Sequence, residues 1–306
     1  GVCTLMVTLP GLPMFGHGQI EGYAEKYGME YRCAYWDETP DQYLIQRHEK
    51  EIFPLLRKRY LFADVENFLL YDFHTTGGWV NEDVIAYSNR FGDERCLVVV
   101  HNKFAETAGW LKASVPYTVK SDTGDSQHQK NLGQGLALTP GDNRFTIFRD
   151  HGTGLEYIRR TSEIIDRGLY IELHAFKKNV FLDFREVDDD HNHVYSRLHD
   201  MLDGQGVESI DDTLRRHFMN PLIGPFKEIV NTGVFKELEA VMDAESKNGA
   251  QKITAHLEKK LEVFFQAVRR LTDGPGDTVR AAADTCKLLE RFITLPHLEM
   301  HWSHEH

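Results

Sequence analysis

Three polar side chains crowd one glycine-bearing turn: His17, Gln19 and Glu21 within Gly16-His17-Gly18-Gln19-Ile20-Glu21-Gly22. An imidazole, an amide and a carboxylate at the end of an apolar run can contact a ligand at the mouth of a barrel strand. They can equally cap a helix from a loop, with Glu21 solvated. Asp188-Asp189-Asp190-His191-Asn192-His193 carries carboxylates and imidazoles, which divalent metals accept. It lacks the Gly and bidentate Glu of an EF-hand loop and stands where strand patterning gives way to helix, so it reads as helix capping. His297, His301, His304 and His306 gather in the tail. The spacing of His297 and His301 puts two imidazoles on one helical face, but in a segment of the kind that frays. Trp79 and Trp110, with Tyr71, Tyr87 and Tyr117, offer faces on which a sugar ring can stack; aromatics alternating along strands serve more often as core. Trp110 follows Gly109 in a turn-like stretch and reads as the exposed platform. No Gly-x-Ser-x-Gly elbow is present, so nothing supports an independent hydrolase site. No catalytic residue, metal or cofactor is assigned.

The elements that must position these groups fall into three blocks. Residues 1–63 open with an apolar run broken by Pro10 and Pro13. A proline removes a ladder hydrogen bond, so the hydrophobics before Pro10 read as helix or loop and Pro13–Gly16 as a short strand. Asp41–Tyr60 reads as an amphipathic helix entered near Pro40, with Pro54 as a break or second start. Residues 64–187 switch to strand patterning: Phe68–Phe73, Val84–Ser88, Cys96–Val100, Arg144–Arg149, Gly168–Leu173 and Asn179–Arg185. Arg90–Glu94 is short and bears Gly92, which predicts a hairpin. Lys120–Gln134 reads as an exposed loop. Residues 188–306 read as helices over 192–202, 209–216, 221–231, 235–244, 250–271 and 277–295, the longest with Ile253, Leu257, Leu261, Phe264, Phe265 and Val268 at helical spacing.

The chain has 306 residues, 41% hydrophobic and 27% charged, the composition of a globular protein of two or three domains. Acids outnumber bases, 47 to 35, and the net charge is -12. A phosphate-binding surface needs clustered Lys and Arg, so nucleic acid is not an expected partner. No run reaches the roughly 18 apolar residues of a membrane span. Cys3, Cys33, Cys96 and Cys286 are scattered and read as isolated thiols. Location is left open, with the cytoplasm ahead; a targeting segment is not observable if the true N-terminus is missing.

Leu9-Pro10-Gly11-Leu12-Pro13-Met14-Phe15 with Gly18-Gln19 resembles the eighth-strand region of glycoside hydrolase family 13, the α-amylase family. In that family the phrase runs on to an acidic residue, which here is Glu21, one place later; His17 stands where a Tyr is usual. Asp83–Asn89 and Glu94–Asn102 look like the first strands of the family's C-terminal β-sandwich. The resemblance implies an α+β chain: the remnant of the last β/α unit of a (β/α)8 barrel, a sandwich, then a helical extension. It implies a retaining enzyme acting on α-glucan or oligosaccharide by double displacement, hydrolysing or transferring. It also implies that His17, Gln19 and Glu21 belong to the sugar site of a larger parent. Retention needs two carboxyl groups roughly 5 Å apart. In the family these come from strands four and five, upstream of Thr4, so this chain is expected to be inactive alone. Without neighbouring strands, Leu5, Met6, Leu9, Leu12, Met14 and Phe15 would lose roughly 10 kcal/mol of burial, at ~1.5–3 kcal/mol each. Residues 1–60 are then expected to pack on the sandwich or to be poorly ordered. Two other roles remain open: a carbohydrate-binding sandwich, and a helical docking module.

Overall fold

A computed structural model describes residues 1–25, 33–121, 124–243, 247–272 and 274–294. The tail histidines His297, His301, His304 and His306 lie outside them. The chain divides into two compact units, residues 1–189 with 196–210, and residues 190–195 with 211–306.

The first unit begins with four helices, α1 (Val2–Thr8), α2 (Gln42–Glu51), α3 (Phe53–Arg57) and α4 (Arg59–Ala63). The Asp41 carboxylate caps α2, accepting from the Tyr43 and Leu44 amides. Pro54 sits in the first turn of α3, where its missing N–H costs nothing. The apolar run before Pro10 is thus the helix α1. Pro13–Gly16, expected as a strand, joins no ladder among the described residues. A strand exists only with a neighbour to pair with, and among the described residues none pairs with this segment.

Ten strands follow: β1 (Leu69–Thr75), β2 (Val84–Phe91), β3 (Glu94–His101), β4 (Thr107–Ser114), β5 (Tyr117–Ser121), β6 (Gly124–His128), β7 (Arg144–Asp150), β8 (Glu156–Arg160), β9 (Leu169–Leu173) and β10 (Lys178–Asp188). Eight of them form one antiparallel sheet in the order β8-β7-β10-β3-β2-β1-β4-β9. This single ladder curls, so that Phe148, Phe181, Leu97, Val99, Leu111 and Ile171 share one core. Two short helices, α5 (Leu132–Gly135) and α6 (Thr161–Arg167), add Leu132 and Ile164 to it. The Lys120–Gln134 loop is also corrected. Its first part belongs to the β5–β6 hairpin, and its end enters α5, where Leu132 is fully buried. The hairpin at Arg90–Glu94 forms as expected, with Gly92 at φ 58°.

The sheet's other face is covered by the helical layer. Cys96, Val98, Val100, Val180 and Leu182 pack with Val7, Ile52, Leu55, Leu61 and Phe62. Leu5, Leu9 and Phe15 join this cluster partly buried, so α1 is docked on the sheet, while Leu12 and Met14 stay 92% and 75% exposed. Thr8 fixes the dock. Its hydroxyl donates to the Thr4 carbonyl and accepts from the Tyr87 phenol at 2.5 Å.

Asp188–Asp190 act as structural groups. Asp188 makes a two-toothed pair with Arg144 (2.7 and 2.9 Å), and Asp189 accepts from the amide and hydroxyl of Ser196 in the first turn of α7 (Val194–Leu202). Asp190 accepts from the Asn192 amide.

The second unit resumes at Asp211, within α8 (Ile210–Leu214), which runs into a π-turn over Arg215–Met219. Pro221, which follows, has no N–H and crowds the preceding turn, and a wider turn relieves this. Then come α9 (Asn220–Ile229), α10 (Thr232–Asp243), α11 (Lys247–Thr272) and α12 (Thr278–Thr294). Ile253, Leu257 and Leu261 of α11 pack against Ala282, Cys286 and Ile293 of α12, the stripe that helical periodicity marks. Among the described residues, no helix is long and apolar enough to cross a membrane.

Candidate functional site

The sequence points to two places in the first unit, and both are organised by backbone geometry. The first is the turn after α1. Gly11 has φ 108°, a left-handed conformation that side chains rarely adopt. Arg59 of α4 reaches over it and donates to the carbonyls of Val7 (2.9 Å), Leu9 (2.7 Å) and Gly11. It thereby satisfies carbonyls that α1 leaves open at its C-terminus. The chain then runs through Leu12–Phe15 and turns at Gly18, φ 74°, whose carbonyl accepts from the Gly22 and Tyr23 amides. A Cβ at Gly18 would lie 2.6 Å from that of Tyr23.

The three marked side chains are distributed unevenly on this turn. Gln19 turns inward on its own loop, Oε1 accepting from the Gly16 amide at 2.7 Å. The His17 ring is exposed and lies 5.8 Å from the Tyr23 ring. Glu21 is half-buried, and its carbonyl accepts from the Asp41 amide, joining the turn to the cap of α2. Gln19 thus closes a turn, and Glu21 is partly covered. Two carboxylates that sequence reasoning missed tie together described residues further along the chain. Glu38 accepts from the amides of Ala24 and Glu25, and Glu25 accepts from those of Tyr35 and Trp36. Tyr35 and Trp36 stand well exposed beside this clasp.

The second place is a groove of about 640 Å³ at one end of the curled sheet, within the roughly 300–1,000 Å³ range of small-ligand clefts. Trp79, 66% exposed, stands at its edge. Its carbonyl accepts from both the amide (2.9 Å) and the hydroxyl (3.0 Å) of Thr75, which pins the backbone. The six-membered ring of the indole rests over Gly77: an added Cβ there would fall 1.8 Å from Cζ3 and 2.3 Å from Cη2. Across the groove Asn81 donates to Thr107 (3.0 Å), Lys103 pairs with Asp83 (2.7 Å) and Glu106 meets His174 (3.0 Å). His101, 1% exposed, also lines the groove. Its Nδ1 donates to the His174 carbonyl at 3.1 Å. Among the described residues no hydrogen-bond partner reaches its Nε2.

Trp110 is not the exposed platform. It is half-buried in the middle of β4, paired across the ladder with Tyr170, ring centroids 5.2 Å apart. Gly109 beside it marks a close strand crossing rather than a turn. Tyr71 and Tyr87 are core: burial pushes both phenols up, against hydrogen bonds to Ser88 and Thr8. Burial likewise pushes the Cys96 thiol up to about 12, the state of an unreactive thiol. His101, Asn81 and Lys103 could not be found from sequence, because only strand register gathers them.

No family model and no curated protein matches the chain.

Proposed function

We propose that this chain is the closing part of an enzyme that cleaves or transfers α-linked glucosyl units, with its first 63 residues contributing the last strand of a (β/α)8 barrel. The observation that carries the reading is the segment Leu9–Gln19. It follows a helix, turns at Pro10-Gly11 and runs on outside any ladder among the described residues with Leu12 and Met14 exposed, then ends in a glycine turn bearing His17 and Gln19. An apolar segment with no ladder partner among the described residues is what an inner barrel strand leaves when its neighbours lie elsewhere. Active sites of such barrels form at the strands' C-terminal ends, which is where this turn would stand. There His17 and Glu21 would contact sugar hydroxyls, and Gln19 would hold the turn. The two carboxylates of a double displacement would come from earlier strands, and no carboxylate of this chain is given that role.

The test is an assay on maltoheptaose. The chain alone should release no reducing ends. Joined to the polypeptide encoded upstream of Gly1, it should yield products that keep the α-anomer. Turnover by the chain alone, or an inactive joined protein, overturns the reading.

A further inference from the structure

We propose that the groove beside Trp79 binds a neutral saccharide, with one pyranose ring stacked on the open face of the indole. Two observations, both independent of the barrel reading, point there. First, the indole is preorganised: one face rests over Gly77, the backbone is pinned by Thr75, and the residue is still 66% exposed. An aromatic face held open at no further cost in ordering is what the apolar side of a sugar ring needs. Second, the polar groups around it are planar or hydroxylic (Asn81, Asp83, Glu106 and Thr107) and suit hydroxyl partners. Charge selects against anions. Glu82, Asp83 and Glu106 line the groove against one lysine, which is already paired with Asp83.

That the saccharide is α-linked rests on the reading of the preceding subsection; that it is a saccharide does not. The experiment is ¹⁵N-resolved titration of the full chain, following the Trp79 indole N–H, with maltotriose, cellotriose and inorganic phosphate as separate probes. Saturable shifts with a trisaccharide and none with phosphate are expected. Trp79→Ala should weaken binding by about tenfold or more. Gly77→Ala is the sharper variant. Gly77 is not in the left-handed region, so its backbone accepts a Cβ, but the indole must leave its seat. It should weaken binding comparably at unchanged Tm. Binding of cellotriose but not maltotriose would support the platform and count against the α-glucan reading. Binding of neither trisaccharide, preference for phosphate, or trisaccharide binding untouched by both substitutions would overturn the proposal.

Discussion

Arg59 has no carboxylate partner among the described residues; its hydrogen bonds go to three carbonyls across the Pro10-Gly11 turn. A guanidinium presents several donors in a fixed fork, so one side chain can hold the end of α1 and the turn that follows it. Arg59→Met keeps the apolar stem and removes those donors, leaving partly buried carbonyls open. The expected cost is about 2–3 kcal/mol, since each lost bond to a charged donor is worth about 1.5–3 kcal/mol and water recovers part of it. Urea unfolding monitored by far-UV circular dichroism checks this. A change below about 0.5 kcal/mol, the scale of ordinary surface substitutions, would mean that the turn holds itself. The sequence marked Pro10 and Gly11 as a break, but nothing in it could mark Arg59 as the clamp, because the pairing spans 48 positions.

Two contacts between elements decide how the helical layer and the sheet keep their places. Glu51, the last residue of α2, accepts from Lys178 of β10 at 2.7 Å and from Arg47 at 3.1 Å. Burial alone would raise its carboxyl, but these two cations outweigh it and bring it from near 4.5 down to about 2. A carboxylate lowered on folding adds stability above its unfolded pKa and loses it as pH falls toward the folded one. Wild type should therefore exceed Glu51→Gln by on the order of 2 kcal/mol at pH 7, after discount for solvent screening, with the gap closing between about pH 5 and pH 2. A gap constant with pH would assign the effect to packing. In the sheet, Gly109 of β4 lies so close to β1 that an added Cβ would meet the His74 carbonyl oxygen at 2.2 Å. That neighbour is backbone and cannot swing aside, unlike the indole over Gly77. Gly109→Ala should cost about 1–3 kcal/mol and lower Tm, where Gly77→Ala should not. Most of these elements were legible. The alternation of β1 and the stripe of α11 announce their faces, and the continuous run Cys96–Val100 of β3 announces burial on both sides. The strand at Pro13–Gly16 and the exposed Trp110 failed for one reason: local residue types carry no record of which strand lies alongside.

At the scale of the molecule, the antiparallel sheet region and the helical C-terminal third were legible as blocks, since each repeats its own period over many residues. How many sheets the strands make was not legible, because closure depends on the order β8-β7-β10-β3-β2-β1-β4-β9, a long-range property. The same distinction bears on Leu12 and Met14. Both are strongly exposed, while Leu9 and Phe15 on either side reach the helix–sheet core. A side chain already in water loses almost nothing when made polar, so in this chain Leu12→Ser with Met14→Ser should change unfolding free energy by less than about 0.5 kcal/mol. It should also reduce self-association, because adjacent exposed apolar groups are a contact surface. In the joined protein the proposed barrel would bury both side chains. The same double substitution should then cost several kcal/mol, since removing a large buried side chain costs about 2–5 kcal/mol. Denaturant unfolding of both forms, with and without the substitutions, separates the cases. A large loss in the chain alone would mean that Leu12 and Met14 are buried there after all. A negligible loss in the joined protein would mean that no barrel closes over this segment, and the α-glucan reading would lose its structural basis while the Trp79 groove kept its own.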